Sequence, residues 1–158
     1  MTKFKDVLDR TYLTMMTDYK LDNIKKLDEK LFYEFLGGFL INSISRFRDC
    51  FIPLTYHKEE IIVNEEITNT EYVFDNELSD KELYILCLGV VINWYQKELD
   101  DLTQYRLHMN SREFKTFSES QNLAKRQDRL IMLEEKFQNE ITKYSLENDN
   151  ILNMIGGV

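Results

Sequence analysis

Between Leu83 and Trp94 the chain is almost unbroken apolar material: Leu83, Ile85, Leu86, Leu88, Val90, Val91, Ile92 and Trp94, with Cys87 among them. Immediately before it stands Ser79-Asp80-Lys81-Glu82, the spacing of a capping box. The Ser79 hydroxyl is placed to accept from the Glu82 backbone N–H, and the Glu82 carboxylate to accept from the N–H of Ser79. A helix is therefore expected to open at Ser79 and run over about 80–99. A helix that is apolar nearly all round has no face left for water and belongs in the middle of a bundle. Ser79 and Glu82 are read as its cap, Leu86 and Trp94 as core. This segment requires other elements to surround it.

The rest of the chain offers mostly helices for that purpose. One proline, Pro53, and five glycines in 158 residues favour long helices over a many-turned β fold. Phe4, Val7, Leu8, Tyr12 and Met15 recur at helical spacing and predict a first helix over about 3–16. Residues 17–27 read as a polar connector. Asp28 is an N-cap candidate with Glu29 in the first turn. The helix it opens carries Leu31, Phe32, Phe35, Leu36, Phe39, Leu40, Ile44 and Phe47 on a broad apolar face. Gly37-Gly38 within it costs about 1 kcal/mol per glycine relative to alanine, which points either to close approach by another helix or aromatic ring, or to a local kink. Residues 99–118 read as a connecting segment with short helical stretches. A last helix over about 119–144 follows Ser118-Glu119-Ser120-Gln121, with Leu123, Leu130, Leu133, Phe137, Ile141 and Tyr144 as its stripe.

The helical period disappears between Cys50 and Asn76. Ile52-Pro53 reads as extended, because the residue before proline is pushed out of the α region. Ile61-Ile62-Val63 and Tyr72-Val73-Phe74 are β-rich runs that pair as a hairpin with a polar, acidic loop containing Glu65 and Glu66. The expected fold class is mostly α: a helical bundle of four to five helices with a small β-hairpin insert at 56–76. One helical domain is expected over 1–146, followed by a flexible tail at 147–158. In that tail a polar stretch, Glu147-Asn148-Asp149-Asn150, leads to Ile151, Leu152, Met154 and Ile155, a hook beyond a hinge.

Residue chemistry offers little for catalysis. His57 and His108 are the only histidines, and neither has a cysteine or acidic partner at metal-ligand spacing. Cys87 sits between Leu86 and Leu88, a packing context rather than that of a nucleophile. No strand-loop-helix glycine motif stands ready for phosphate. Adjacent acid pairs such as Glu59-Glu60, Asp100-Asp101 and Glu134-Glu135 point different ways and read as solvated faces. The chain is accordingly expected not to be an enzyme and to need no cofactor or metal. A net charge of -8 opposes sequence-specific binding to phosphate backbones. The N-terminal MTKFKDVLDR lacks the apolar stretch of a signal peptide, and no apolar run approaches the roughly 20 residues that span a bilayer. The expectation is a soluble, intracellular protein with no membrane partner.

The segment from Phe74 to Trp94, in which Asp75-Asn76-Glu77 leads into the capped Ser79-Asp80-Lys81-Glu82 and an apolar helix ending near Trp94, resembles the head–tail connector (adaptor) proteins of tailed phages infecting Firmicutes. Arg112-Glu113-Phe114-Lys115-Thr116-Phe117-Ser118 and Ser120-Gln121-Asn122-Leu123, preceding the long last helix, carry a second likeness. The resemblance spans about 28–146, with its specific part over about 35 residues. The stretch 56–70 is longer than the loops of the family.

The resemblance implies a helical adaptor that assembles with itself as a ring, typically of twelve copies, beneath the portal protein. Such a ring extends the DNA channel and presents a platform to the downstream neck or tail protein. Its place would be the virion neck, after assembly in the host cytoplasm. DNA would pass through the lumen without sequence-specific binding, and an acidic wall suits that passage. The tail residues Ile151, Leu152, Met154 and Ile155 are the implied portal-docking element, and Tyr56, Glu65, Glu66 and Tyr72 a loop facing the channel or the tail partner. The alternative is a small helical partner-binding or regulatory protein of phage or bacterial origin.

Overall fold

A computed structural model describes the backbone of residues 1–16, 19–63, 66–108 and 117–155, with the side chains of these residues except 19, 61–63, 66–69, 105–108, 117–122 and 149–155. The order of elements is α1 (Phe4–Met15), α2 (Tyr19–Leu27), α3 (Glu29–Arg46), β1 (Tyr56–Val63), β2 (Glu66–Phe74), α4 (Asp80–His108) and α5 (Phe117–Ile155). The chain is thus a mostly helical bundle carrying one small antiparallel hairpin.

The apolar segment after Ser79 is the axis of this bundle. α1, α3 and α5 all pack on α4, and Ile85, Leu86, Cys87, Leu88, Val90, Val91 and Ile92 are each at most 2 % exposed. Both bonds of the capping box form: Ser79 N–H donates to Glu82 Oε2 at 2.6 Å, and Glu82 N–H to Ser79 Oγ at 3.4 Å. Around α4 lie Val7 and Leu8 of α1, Phe32, Leu36 and Leu40 of α3, and Phe137, Ile141 and Tyr144 of α5. Asp28 caps α3 by accepting from the Leu31 N–H at 3.0 Å.

The glycine that brings two helices together is Gly89, not the Gly37-Gly38 pair. A Cβ on Gly89 would lie 2.7 Å from both Cβ and Oγ of Ser43 and 3.4 Å from the Phe137 ring. Ser43 Oγ in turn donates to the Phe39 carbonyl at 2.7 Å and accepts from Asn93 Nδ2 at 3.2 Å. α3 and α4 therefore meet at a seam of small and polar atoms. At Gly37 and Gly38 a Cβ would meet nothing within 4 Å, so no close approach is made there among the described residues, and α3 stays helical through both.

Three helix boundaries differ from the sequence expectation. The polar connector at 17–27 contains a helix, α2, because Leu21 and Ile24 supply a small apolar stripe that the bundle covers. α4 extends to His108 instead of stopping near Leu99. No glycine or proline interrupts it there, and Gln96–Asp100 and Lys97–Asp101 contacts at i,i+4 support the exposed turns. α5 begins at Phe117 and continues through the supposed polar hinge to Ile155. Glu147, Asn148, Asp149 and Asn150 are polar but do not break a helix, and Asn148 Nδ2 donates back to the Tyr144 carbonyl at 3.0 Å. The connecting segment expected at 99–118 is helix at both ends, and 109–116 lie outside the described residues.

The hairpin is longer than its β-rich cores. Tyr56 pairs with Phe74 and Val63 with Glu66, with a register shift between Ile61 and Ile62. It is tied to the start of α1: Lys3 bridges to Val73, and Phe74 N–H donates to the Thr2 carbonyl at 2.9 Å.

Candidate assembly surface

The hairpin, the start of α1 and the first turns of α3 enclose a cleft of about 810 Å³. Phe4 is the hinge of this arrangement. Its ring lies 4.9 Å from Tyr56, 5.3 Å from Tyr72 and 4.8 Å from Phe74, centroid to centroid. Alternation along the strands puts these three aromatics on one face of the hairpin, and that face lies on α1. Tyr56 and Tyr72 are half-buried strand residues in this cluster, not members of a projecting loop. Glu65 lies outside the described residues; Glu66 opens β2, with its side chain outside the description.

The cleft floor is apolar and its rim is charged. Leu8, Tyr33, Ile41 and Tyr72 contribute carbon, while Gly37 and Gly38 leave the α3 backbone bare. Four lysines (3, 5, 30 and 58) stand against three glutamates (29, 34 and 71). Lys3 pairs with Glu71 at 2.8 Å, while Lys5–Glu29 at 3.8 Å and Lys30–Glu34 at 3.9 Å are looser and more exposed. Lys58 sits over the Tyr72 ring at 5.1 Å. On a chain with a net charge of -8, this lining carries an excess of one positive charge.

A second constellation, on the other side of α4, fixes the direction of α5. Glu82 is only 2 % exposed and receives two strong donors, Ser79 N–H and the Tyr144 hydroxyl at 2.5 Å. The Tyr144 oxygen also accepts from the Phe51 N–H at 3.3 Å and lies 3.6 Å from Cys50 Sγ. Burial and the carboxylate beside it push the Tyr144 hydroxyl far above its ordinary range, so it serves as a permanent donor. The capping residue of α4 is thereby also the clamp for α5, a double use that the S-x-x-E spacing alone does not disclose. Farther along, Arg46 bonds Glu134 and lies over the Phe137 ring, and Lys81 bonds Glu147. Leu86 and Trp94, at 0 % and 6 % exposed, take the core positions expected of them.

His57 and both cysteines make contacts within the fold. His57, isolated in sequence, finds Asp75 at 2.6 Å and Glu59 at 3.3 Å. These carboxylates raise its pKa above the ordinary 6.5, the hydrogen bond to Asp75 being the largest cause, and the group staples the base of the hairpin. Burial pushes both cysteine thiols up; Cys87 Sγ faces the Val7 carbonyl at 3.6 Å. Among the described residues no group of three or more His, Cys, Asp or Glu is placed to hold a metal ion, and no helix is long and apolar enough to cross a membrane.

Ile151, Leu152, Met154 and Ile155 fall on the last turns of α5, where the backbone is helical and the side chains lie outside the description. Their spacing at i, i+3 and i+4 puts them on one side of a helix by register. No protein-family model, curated protein or solved structure matches the chain.

Proposed function

We propose that this protein is a head–tail connector (adaptor) of a tailed bacteriophage, a ring-forming part that sits beneath the portal in the virion neck. In this reading it assembles with itself in the host cytoplasm, extends the DNA channel and meets the next neck or tail protein. The observation that carries it is α5. This helix has 39 residues and so a length of about 58 Å, and it ends in an apolar stripe beyond the Lys81–Glu147 contact that is its last described tie to the bundle. A body clamped at Glu82–Tyr144, with a long helix whose last residues are mostly apolar in sequence, is suited to joining subunits. The likeness of the Phe74–Trp94 segment to phage adaptors supplies the particular assembly. A net charge of -8 per chain suits a wall along which DNA slides, because it forms few of the phosphate contacts that create tight binding.

The test is native mass measurement and electron microscopy of the full chain, alone and with the portal protein encoded by the same genome. A closed ring bound to the portal is expected. A chain that stays monomeric beside an intact portal, or one that instead captures a single host enzyme in fixed stoichiometry, refutes the connector reading.

A further inference from the structure

A closed ring of identical copies needs a heterologous interface, in which two different surfaces on each copy complement one another. From the cleft and the stripe together, we infer that the cleft between α1, α3 and the hairpin is the seat for the C-terminal turns of α5 from a neighbouring copy. This rests on the proposal that the chain assembles with itself, and it names the partner of the terminal stripe.

Three observations point the same way. First, Gly37 and Gly38 lower the helix propensity of α3 by about 1 kcal/mol each and gain no packing among the described residues, since a Cβ at either position meets nothing there within 4 Å. Their bare backbone forms part of the cleft floor, where a second helix can come close. Second, the charges complement. The cleft carries four lysines to three glutamates, and residues 149–155 contain one carboxylate, Asp149, with no lysine or arginine. Third, the apolar parts correspond: Tyr33, Ile41 and Tyr72 line the cleft with part of their surface exposed, and Ile151, Leu152, Met154 and Ile155 recur at helical spacing in the sequence. α5 packs on α4, and none of its residues described with side chains lines the cleft.

The experiment uses the full chain and a synthetic peptide of residues 145–158, with backbone amide shifts reporting where the peptide binds. Saturable binding that moves the amides of Tyr33, Ile41 and Lys58 is expected. Binding should be about tenfold weaker, or worse, to Gly38→Leu, whose side chain fills the floor; a peptide carrying Ile151→Asp and Ile155→Asp should lose it comparably. Circular dichroism of Gly38→Leu checks the fold, which leucine in place of glycine should strengthen. A peptide that binds nowhere, binds elsewhere, binds Gly38→Leu as well as wild type, or binds only to the portal overturns the inference. Binding in the cleft without a ring on the portal would leave this inference standing and remove the connector reading. A ring that forms unchanged with Gly38→Leu would do the reverse.

Discussion

Replacing a helical glycine with alanine should have opposite signs at two places in this bundle. Alanine is better than glycine in a helix interior by about 1 kcal/mol. At Gly37 and Gly38 the new methyl meets nothing within 4 Å, so that gain stands undiminished. Each substitution should stabilise the chain by about 1 kcal/mol and, for a domain of this size, raise the melting temperature by about 2–4 °C. At Gly89 the methyl would lie 2.7 Å from Ser43 Cβ and Oγ. The Cβ is one bond from the α3 backbone and cannot swing aside, and the hydroxyl is held by Phe39 and Asn93. Relief requires α3 and α4 to separate, and overpacking of this kind costs about 1–3 kcal/mol, more than the propensity gain. With the propensity gain subtracted, a net loss of up to about 2 kcal/mol is expected. Urea unfolding followed by Trp94 fluorescence and far-ultraviolet circular dichroism measures both. The cycle closes with Ser43→Gly: combined with Gly89→Ala it should cost less than the sum of the two single changes, by about 1 kcal/mol or more. A Gly89→Ala chain as stable as wild type, or additive behaviour with Ser43→Gly, would refute the seam between α3 and α4.

Tyr144→Phe removes a donor from the buried Glu82 carboxylate and the acceptor of the Phe51 N–H; a loss of about 1.5–3 kcal/mol in urea unfolding is expected, as for hydrogen bonds to charged groups. Asp28→Ala should cost about 1 kcal/mol by uncapping α3, and Asp28→Ser should recover most of it, as read by thermal melts. The His57 pKa is raised in the folded chain, so its contribution to hairpin stability is fully present below the ordinary value of 6.5 and is lost as pH rises through the folded value. Amide exchange in β1 and β2 should therefore quicken with pH over that window beyond its intrinsic pH dependence, and His57→Gln should abolish the excess; an unchanged excess in the variant would count against the staple.

The helices were legible wherever a local signal and a local consequence coincide. The Ser79–Glu82 spacing and the all-round apolar run after it are enough to demand a buried helix, because a capping box and a hydrophobic surface act on near neighbours. The Asp28 cap and the β-rich runs around Ile62 and Val73 belong to the same class. Helix length was less legible. Polarity is not a stop signal, and α5 runs through Glu147–Asn150 to Ile155.

What only the tertiary structure decided is which residues, far apart in the chain, share a surface. Gly89 and Gly37 look alike in sequence, yet a Cβ on one would lie 2.7 Å from Ser43 and a Cβ on the other would meet nothing within 4 Å among the described residues. Glu82 reads as a cap, but its second oxygen is committed to Tyr144, 62 positions away. Tyr56 and Tyr72 read as parts of a hairpin insert, and only the fold shows that Phe4 draws both against α1. The cleft that results is assembled from three separate segments, so no periodicity or motif announces it. A sequence pattern records the free energy of near neighbours; packing across the bundle depends on where helices cross, and that is set by all the elements together.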